Sequence, residues 1–168
     1  MNWRPKALGV VTATAALLCV SATGAAADPP TKEDFDDTFG QTVTTLCDFP
    51  VEVESHFSGS RRFFTDEAGE LVRLQEHVTA QDTFTANGVT LVGEEYHFST
   101  QLLFSGDEVV KAQVTGVLEK VRLPDGSTFI GAGRADILAS IAAGVEFIVE
   151  PDSGVIKNQD AFCAALSG

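Results

Sequence analysis

Positive charge is scarce in this chain of 168 residues. Eleven Lys and Arg stand against twenty-four Asp and Glu, for a formal net charge of −13 at pH 7. Nucleic acids and anionic membranes are bound by clusters of Lys and Arg that displace counterions. Neither is an expected partner of a chain so acidic. The excess of carboxylates favours solubility by self-repulsion and names no partner.

Catalytic signatures are missing as well. There is no Gly-x-Ser-x-Gly elbow, no Ser-x-x-Lys and no His-Glu-x-x-His. Phosphate-binding loops of the GxGxxG and GxxxxGK kinds are absent, and Gly131-Ala132-Gly133-Arg134 reads as tight packing at a strand end. Asp34 to Thr45 fails as a calcium loop, because Phe39 takes the place of the required glycine and Thr45 that of the closing glutamate. Glu94 and Glu95 are neighbours on a strand, so they point to opposite faces and cannot act as an acid/base pair. No cofactor is expected. Long apolar runs are few: Ile137 to Val149 carries Ser140, Gly144 and Glu146 and is too short to cross a bilayer.

What is present begins at the N-terminus. Arg4 and Lys6 precede an uncharged stretch, Ala7 to Ser21, and Ala25 and Ala27 supply an A-x-A site before Asp28-Pro29-Pro30. Residues 1–27 therefore read as a cleavable secretory signal peptide. Thr12, Thr14, Ser21 and Thr23 dilute the stretch too far for a retained membrane anchor. Lipidation at Cys19 is disfavoured, since Leu18 stands where a small residue is needed. Cleavage removes two positive charges, which takes −13 to −15, together with Trp3 and Cys19. It leaves Tyr96 as the lone strong near-ultraviolet chromophore, and the expected location is secreted, with no membrane span after cleavage.

Two cysteines remain, Cys47 and Cys163. An even count in an oxidising compartment predicts a disulfide. Neither has the CxxC or His-paired setting of a reactive thiol.

The rest divides into an acidic leader, 28–46, and a β-domain, 47–168. In the leader, Phe35, Phe39, Val43 and Leu46 follow helical spacing and predict a short helix, with Thr31 or Asp34 as its cap. From Phe49 the period changes to two. Val51, Val53 and Phe57 alternate with Glu52, Glu54 and His56, with Ser55 interrupting the apolar side. Val72, Leu74 and Val78 alternate with Arg73, Gln75 and His77. Tyr96, Phe98 and Thr100 alternate with Glu95, His97 and Ser99; Val110, Ala112 and Val114 do so with Lys111, Gln113 and Thr115. Asp82 to Ala86, Val89 to Leu91, Thr128 to Ala132 and Val145 to Val149 complete about eight strands. Turn chemistry lies between them: Thr65 to Gly69, Asn87-Gly88, Ser105-Gly106-Asp107, Pro124 to Ser127 and Pro151 to Gly154. The expected fold is all-β: a single small antiparallel β-barrel or, alternatively, a β-sandwich, with short helical turns near the termini.

Several motifs recur in order along the mature chain. Cys47-Asp48-Phe49-Pro50-Val51 comes first, then Phe64-Thr65-Asp66-Glu67-Ala68-Gly69, the Asn87-Gly88 turn and Gly133-Arg134. Cys163-Ala164-Ala165-Leu166-Ser167-Gly168 closes the series. With the signal peptide, this set resembles a widespread group of small secreted proteins of actinobacteria with no assigned activity. The resemblance implies a β-rich, disulfide-closed extracellular domain and transfers no catalytic residues.

His56, His77 and His97 are the weak candidates for a metal site. On alternate strands of a meander they would stand about 10 Å apart, too far for a shared zinc ion, so exposed histidines on a polar face are the preferred reading. The expected function is a non-enzymatic extracellular binding or envelope-associated domain, its partner a small apolar ligand or a cell-envelope component. The alternative is a small barrel enzyme of the cyclase or isomerase kind with an interior site, for which Tyr96 is the one His, Glu or Tyr in the apolar phase. N-terminal sequencing of the exported protein is expected to begin at Asp28; a first residue upstream of Ala25 contradicts the cleavage site.

Overall fold

The computed structural model describes residues 29–143 and 149–168. The expected signal peptide, and all but Val149 of the expected strand Val145–Val149, lie outside them. The elements are β1 (Thr31–Val43), β2 (Val51–Thr65), β3 (Leu71–Ala86), β4 (Val89–Val92), β5 (Tyr96–Ser105), β6 (Glu108–Arg122), β7 (Thr128–Asp136), α1 (Ile137–Ala143), β8 (Val149–Lys157) and α2 (Gln159–Leu166). The protein is all-β, with one antiparallel sheet in the order β1-β2-β3-β5-β6-β7-β8 and β4 paired to β3. Among the described residues no ladder joins β1 to β8, so the sheet stays open at those two edges.

The turns form where their residues demand them. Asn87 and Gly88 both take positive φ, 51° and 79°, the conformation of a two-residue hairpin whose twist matches the flanking strands. At the β2–β3 turn the Asp66 carboxylate accepts from the backbone N–H groups of Ala68 and Glu70.

Three segments depart from expectation. Residues 31–43 are a strand, not a helix, and pair with β2 along thirteen positions. Phe35, Phe39 and Val43 are spaced by four, an even number, so they also share one face of a strand. Thr38 and Thr42 favour the extended form, and the ladder to β2 decides the matter. Residues 71–86 form one strand of sixteen residues where two were expected. Its outer half pairs with β4 and its inner half with β5, so a single strand serves two partners. Pro151 to Gly154 lies within β8, opposite a register shift between Gly133 and Ala135, rather than in a free turn.

A row of glycines crosses the sheet. In register from β1 to β8 stand Phe35, Gly59, Val78, Phe98, Gly116, Gly133 and Gly154. A Cβ on Gly59 would strike the His77 carbonyl; one on Gly116 would lie 2.7 Å from the His97 oxygen, and Gly116 has φ +140°. Backbones thus approach along this row more closely than side chains allow, the condition for strong local bending. Phe57 and Phe98 meet edge to face beside it, 6.3 Å between centroids.

The inner face is buried in three patches. The largest joins Val43, Val51, Val53, Phe84, Ala86, Val121, Leu123 and Phe129 to Phe162 and Leu166 of α2. Phe162 stacks on Phe129 at 4.3 Å and meets Phe84 edge-on at 5.1 Å. The Cys47–Cys163 disulfide ties α2 to the β1–β2 connection, as expected. It spans a sequence separation of 116, so in the chain-entropy view it stabilises by about 4–5 kcal/mol. The second patch holds Val78, Ala80 and Tyr96, with Phe35, Phe57, Phe98 and Val117 against it. The third is Val114, Leu118 and Ala135, with Phe98 and Ile137 beside them.

Gly116→Ala is expected to cost about 2 kcal/mol or more, from positive-φ strain and the clash with β5. Gly40→Ala, whose new methyl meets only the Val53 carbonyl at 3.9 Å, should stay within about 0.5 kcal/mol of the parent. Urea midpoints of the two variants make the comparison, and equal losses contradict the role given to the glycine row.

Candidate functional site

The two faces of the sheet differ in chemistry. The outer face carries the alternate positions Thr83, Gln81, Thr79, His77 and Gln75 on β3, and His97, Ser99 and Gln101 on β5. Two open cavities lie here. One, of about 380 Å³, is lined by His77, Thr79, His97, Ser99, Thr115 and the glycine-row residue Gly116, with Val78 and Phe98. The other, of about 420 Å³, lies towards β1 among Gln41, Thr42, Glu52, Glu54, Thr83 and Thr85.

His77 and His97 come together in the first cavity. They were expected on alternate strands, but β5 pairs directly with β3, so they are diagonal neighbours. His77 Nδ1 lies 3.0 Å from Ser99 Oγ, and His97 Nδ1 lies 3.0 Å from Thr79 Oγ1. Each imidazole is thereby tied to a hydroxyl directly opposite it in register. His56 is apart, on β2, bonded through Nε2 to Asp36 Oδ1 at 2.9 Å. Among the described residues no three His, Cys, Asp or Glu are placed to hold a metal ion. The pairing of hydroxyls and imidazoles in one open groove suits a polar ligand with several hydrogen-bonding groups.

The inner face holds a second constellation that sequence reasoning missed. On β3 the inward residues run Val78, Ala80, Asp82, Phe84, Ala86, and all five are buried. Asp82 is only 3% exposed. Ser55, also buried, is its register partner on β2. Tyr96 donates its phenol to Asp82 Oδ2 at 2.6 Å. Asp82 Oδ1 has no hydrogen-bond partner. Burial raises the Asp82 carboxyl above the ordinary carboxylate range, while the hydroxyls of Ser55 and Tyr96 pull it back by favouring the charged form. The Tyr96 phenol is pushed up, first by burial and then by the Asp82 charge.

Glu119 completes the group. The β6–β7 register shifts between Val117 and Glu119. Such a bulge inserts one residue, here Leu118, and resets the alternation. Leu118, Glu119 and Val121 thereby fall towards the same side, and a glutamate the simple alternation leaves outside is turned inward. The residue is half-buried, and its carboxyl lies against the Gly131 backbone of β7. Burial, with the Asp82 charge adding to it, pushes the Glu119 carboxyl up to about 8.

One signal in the sequence pointed to this group. Ser55 breaks an apolar strand face, and Asp82 stands in the apolar phase of its own strand. Polar residues in apolar phase are expected to be paired. Glu119 had no such signal, because its position depends on a bulge. The four groups form a polar belt between the α2-capped patch and the patch around Tyr96.

No protein-family model matches the chain, and no curated protein and no solved structure matches it significantly. The belt and the groove are therefore read on their own chemistry.

Tyr96→Phe is expected to cost about 1–3 kcal/mol, because it strips a buried carboxylate of its hydrogen bond. The Tyr96 bond favours the charged form of Asp82, so the loss should be larger at pH 8 than at pH 4. Denaturant unfolding at both values checks this, and an equal loss at the two contradicts it.

Proposed function

We propose that this is an exported, non-enzymatic binding domain that recognises a polar extracellular or cell-envelope component through the outer face of its sheet. One observation carries the reading: the end of the inner face covered by α2 is filled by Phe84, Phe129 and Phe162, while the two cavities described open on the polar side. A filled interior leaves little room there for an apolar ligand. A groove whose lining includes Thr79, Ser99, Thr115, His77 and His97 offers several hydrogen-bonding groups, as a hydroxyl-rich ligand requires.

Export rests on the N-terminal segment and agrees with the disulfide. No helix among the described residues is long and apolar enough to cross a membrane. The resemblance to small secreted actinobacterial proteins supports the same assignment. The enzyme reading draws on one specific feature, the convergence of Asp82, Tyr96 and Glu119. Neither described cavity is lined by these residues, and a catalytic group must reach its substrate.

Titration of isotope-labelled mature protein with soluble cell-envelope glycan fragments tests the proposal. Amide shifts are expected at His77, Thr79, His97, Ser99 and Thr115. The double substitution Thr79→Ala with Ser99→Ala should weaken binding by about tenfold, one to two hydrogen bonds. Native mass spectrometry is the second measurement. An apolar molecule co-purifying with the protein, or shifts centred on Phe84 and Phe129, overturns the reading.

A further inference from the structure

We infer that the protein pairs with a second copy of itself through the free edge of β1, the two β1 strands running antiparallel about a two-fold axis at Phe39, so that the two sheets become one.

The sheet ends in two free edges, and they are built differently. β8 is nine residues long and contains Pro151, which has no N–H to offer a further strand. Its ladder to β7 is interrupted by a register shift between Gly133 and Ala135. Shortness, proline and irregularity blunt an edge against pairing. β1 has none of the three. It runs for thirteen residues, contains no proline, and holds one register with β2 from Thr31 opposite Phe63 to Val43 opposite Val51. Along a strand, backbone groups of alternate residues point to opposite edges, so half of those in β1 point away from β2. Among the described residues no strand pairs with that edge. Every β1 residue except Phe35, Gln41 and Val43 is exposed, and Phe39 is exposed by 55%.

Charge is the remaining device that keeps edges apart. On β1 the carboxylates are already engaged within the chain. Asp34 is 2.9 Å from the Lys32 ammonium, and Asp36 is bonded to His56 Nε2 at 2.9 Å. Asp37 is 3.4 Å from the Arg61 guanidinium, and Glu33 stands opposite Arg61 in register. What the edge still requires is a strand that covers Phe39 and sets no carboxylate against these.

A second β1 meets both conditions in one register. With the axis at Phe39, that residue faces its own copy. Thr38 then faces Gly40, Asp37 faces Gln41, Asp36 faces Thr42 and Phe35 faces Val43. Each carboxylate meets an amide or a hydroxyl, and each large apolar residue meets another, the pairings that stabilise neighbouring strands. Glu33 and Asp34 fall beyond the paired stretch, because β1 ends at Val43. Other registers lose one condition or the other. An axis at Phe35 sets Asp34 on Asp36 and Glu33 on Asp37; an axis at Asp36 or Asp37 sets that carboxylate on its own copy. An axis at Thr38 or Gly40 sets Phe39 against Asp37 or Gln41. The buried patches containing Val43 and Phe35 then continue from one copy into the other. Both copies use the same edge, so the assembly closes at two.

The test uses the mature, disulfide-bonded protein. Sedimentation equilibrium should show monomers and dimers, with tighter association at higher salt, because salt screens the repulsion between two acidic copies. Alternate β1 amides should gain protection from hydrogen exchange as concentration rises. Phe39→Asp, which sets two carboxylates face to face, should raise the dissociation constant roughly tenfold. Gln41→Lys, which faces Asp37 of the second copy at two symmetric places, should lower it. Directly opposite residues have Cα atoms about 4.5–5.5 Å apart, within reach of a disulfide. Phe39→Cys should therefore cross-link two copies under mild oxidation. Asp36→Cys should not, since its two copies stand about 20 Å apart along the strands. A protein that remains monomeric at millimolar concentration in high salt overturns the inference. Cross-linking through Asp36→Cys as readily as through Phe39→Cys overturns it too, as does a dimer that Phe39→Asp leaves unchanged.

Discussion

Phe162 sits between Phe84 and Phe129, and that seat decides how a single open sheet acquires a core. A lone antiparallel sheet has one face to bury and no second layer with which to bury it. Here a helix of eight residues supplies the cover at one end. So short a helix has little stability alone. It is held by aromatic stacking, by the Cys47–Cys163 bridge, and by side-chain amides. Gln159 donates to the Leu46 carbonyl at 2.6 Å and Asn87 to that of Leu166 at 3.1 Å. The disulfide fastens the helix to one side of the patch, and Asn87 fastens its last turn to the β3–β4 hairpin.

The polar belt follows from the same constraint. The α2-capped patch ends on β3 at Phe84, and the next patch begins at Ala80. Asp82 stands in the gap, inward-facing and screened from water by both patches. Its phenol partner, the inward glutamate and the interrupted ladder at Gly93 all cluster at this seam. The outer groove is built from the reverse side of the same strands. Tyr96 faces the belt and His97, the next residue, faces the groove. Events at the belt and at the groove are thus one peptide unit apart on β5.

Much of the architecture was legible beforehand. Period-two alternation identified most strands, and Asn87-Gly88 and Asp66 to Gly69 identified their turns, because those backbone conformations admit few residue types. The cysteine pairing followed from parity and compartment. Legibility failed where two patterns coincide. Phe35, Phe39 and Val43 satisfy helix and strand alike, and only thirteen rungs with β2 separate the two. It failed again at Asp82. The residue broke the apolar phase of its strand, which marks a buried polar group, but its partners lie 27, 14 and 37 positions away by their numbering, at Ser55, Tyr96 and Glu119.

What the sequence determined by itself is local or compositional: strand periods, turn residues, the excess of carboxylates, the cysteine parity. Each depends on a residue and its near neighbours. Tertiary structure alone decided which strands became partners, that β5 joins β3 and so brings His77 beside His97, and that the Leu118 bulge turns Glu119 inward. Those outcomes depend on long-range register, and a shift of one residue reverses every side chain beyond it. Plain alternation places Glu119 outside, and the register shift between Val117 and Glu119 turns it inward for that reason.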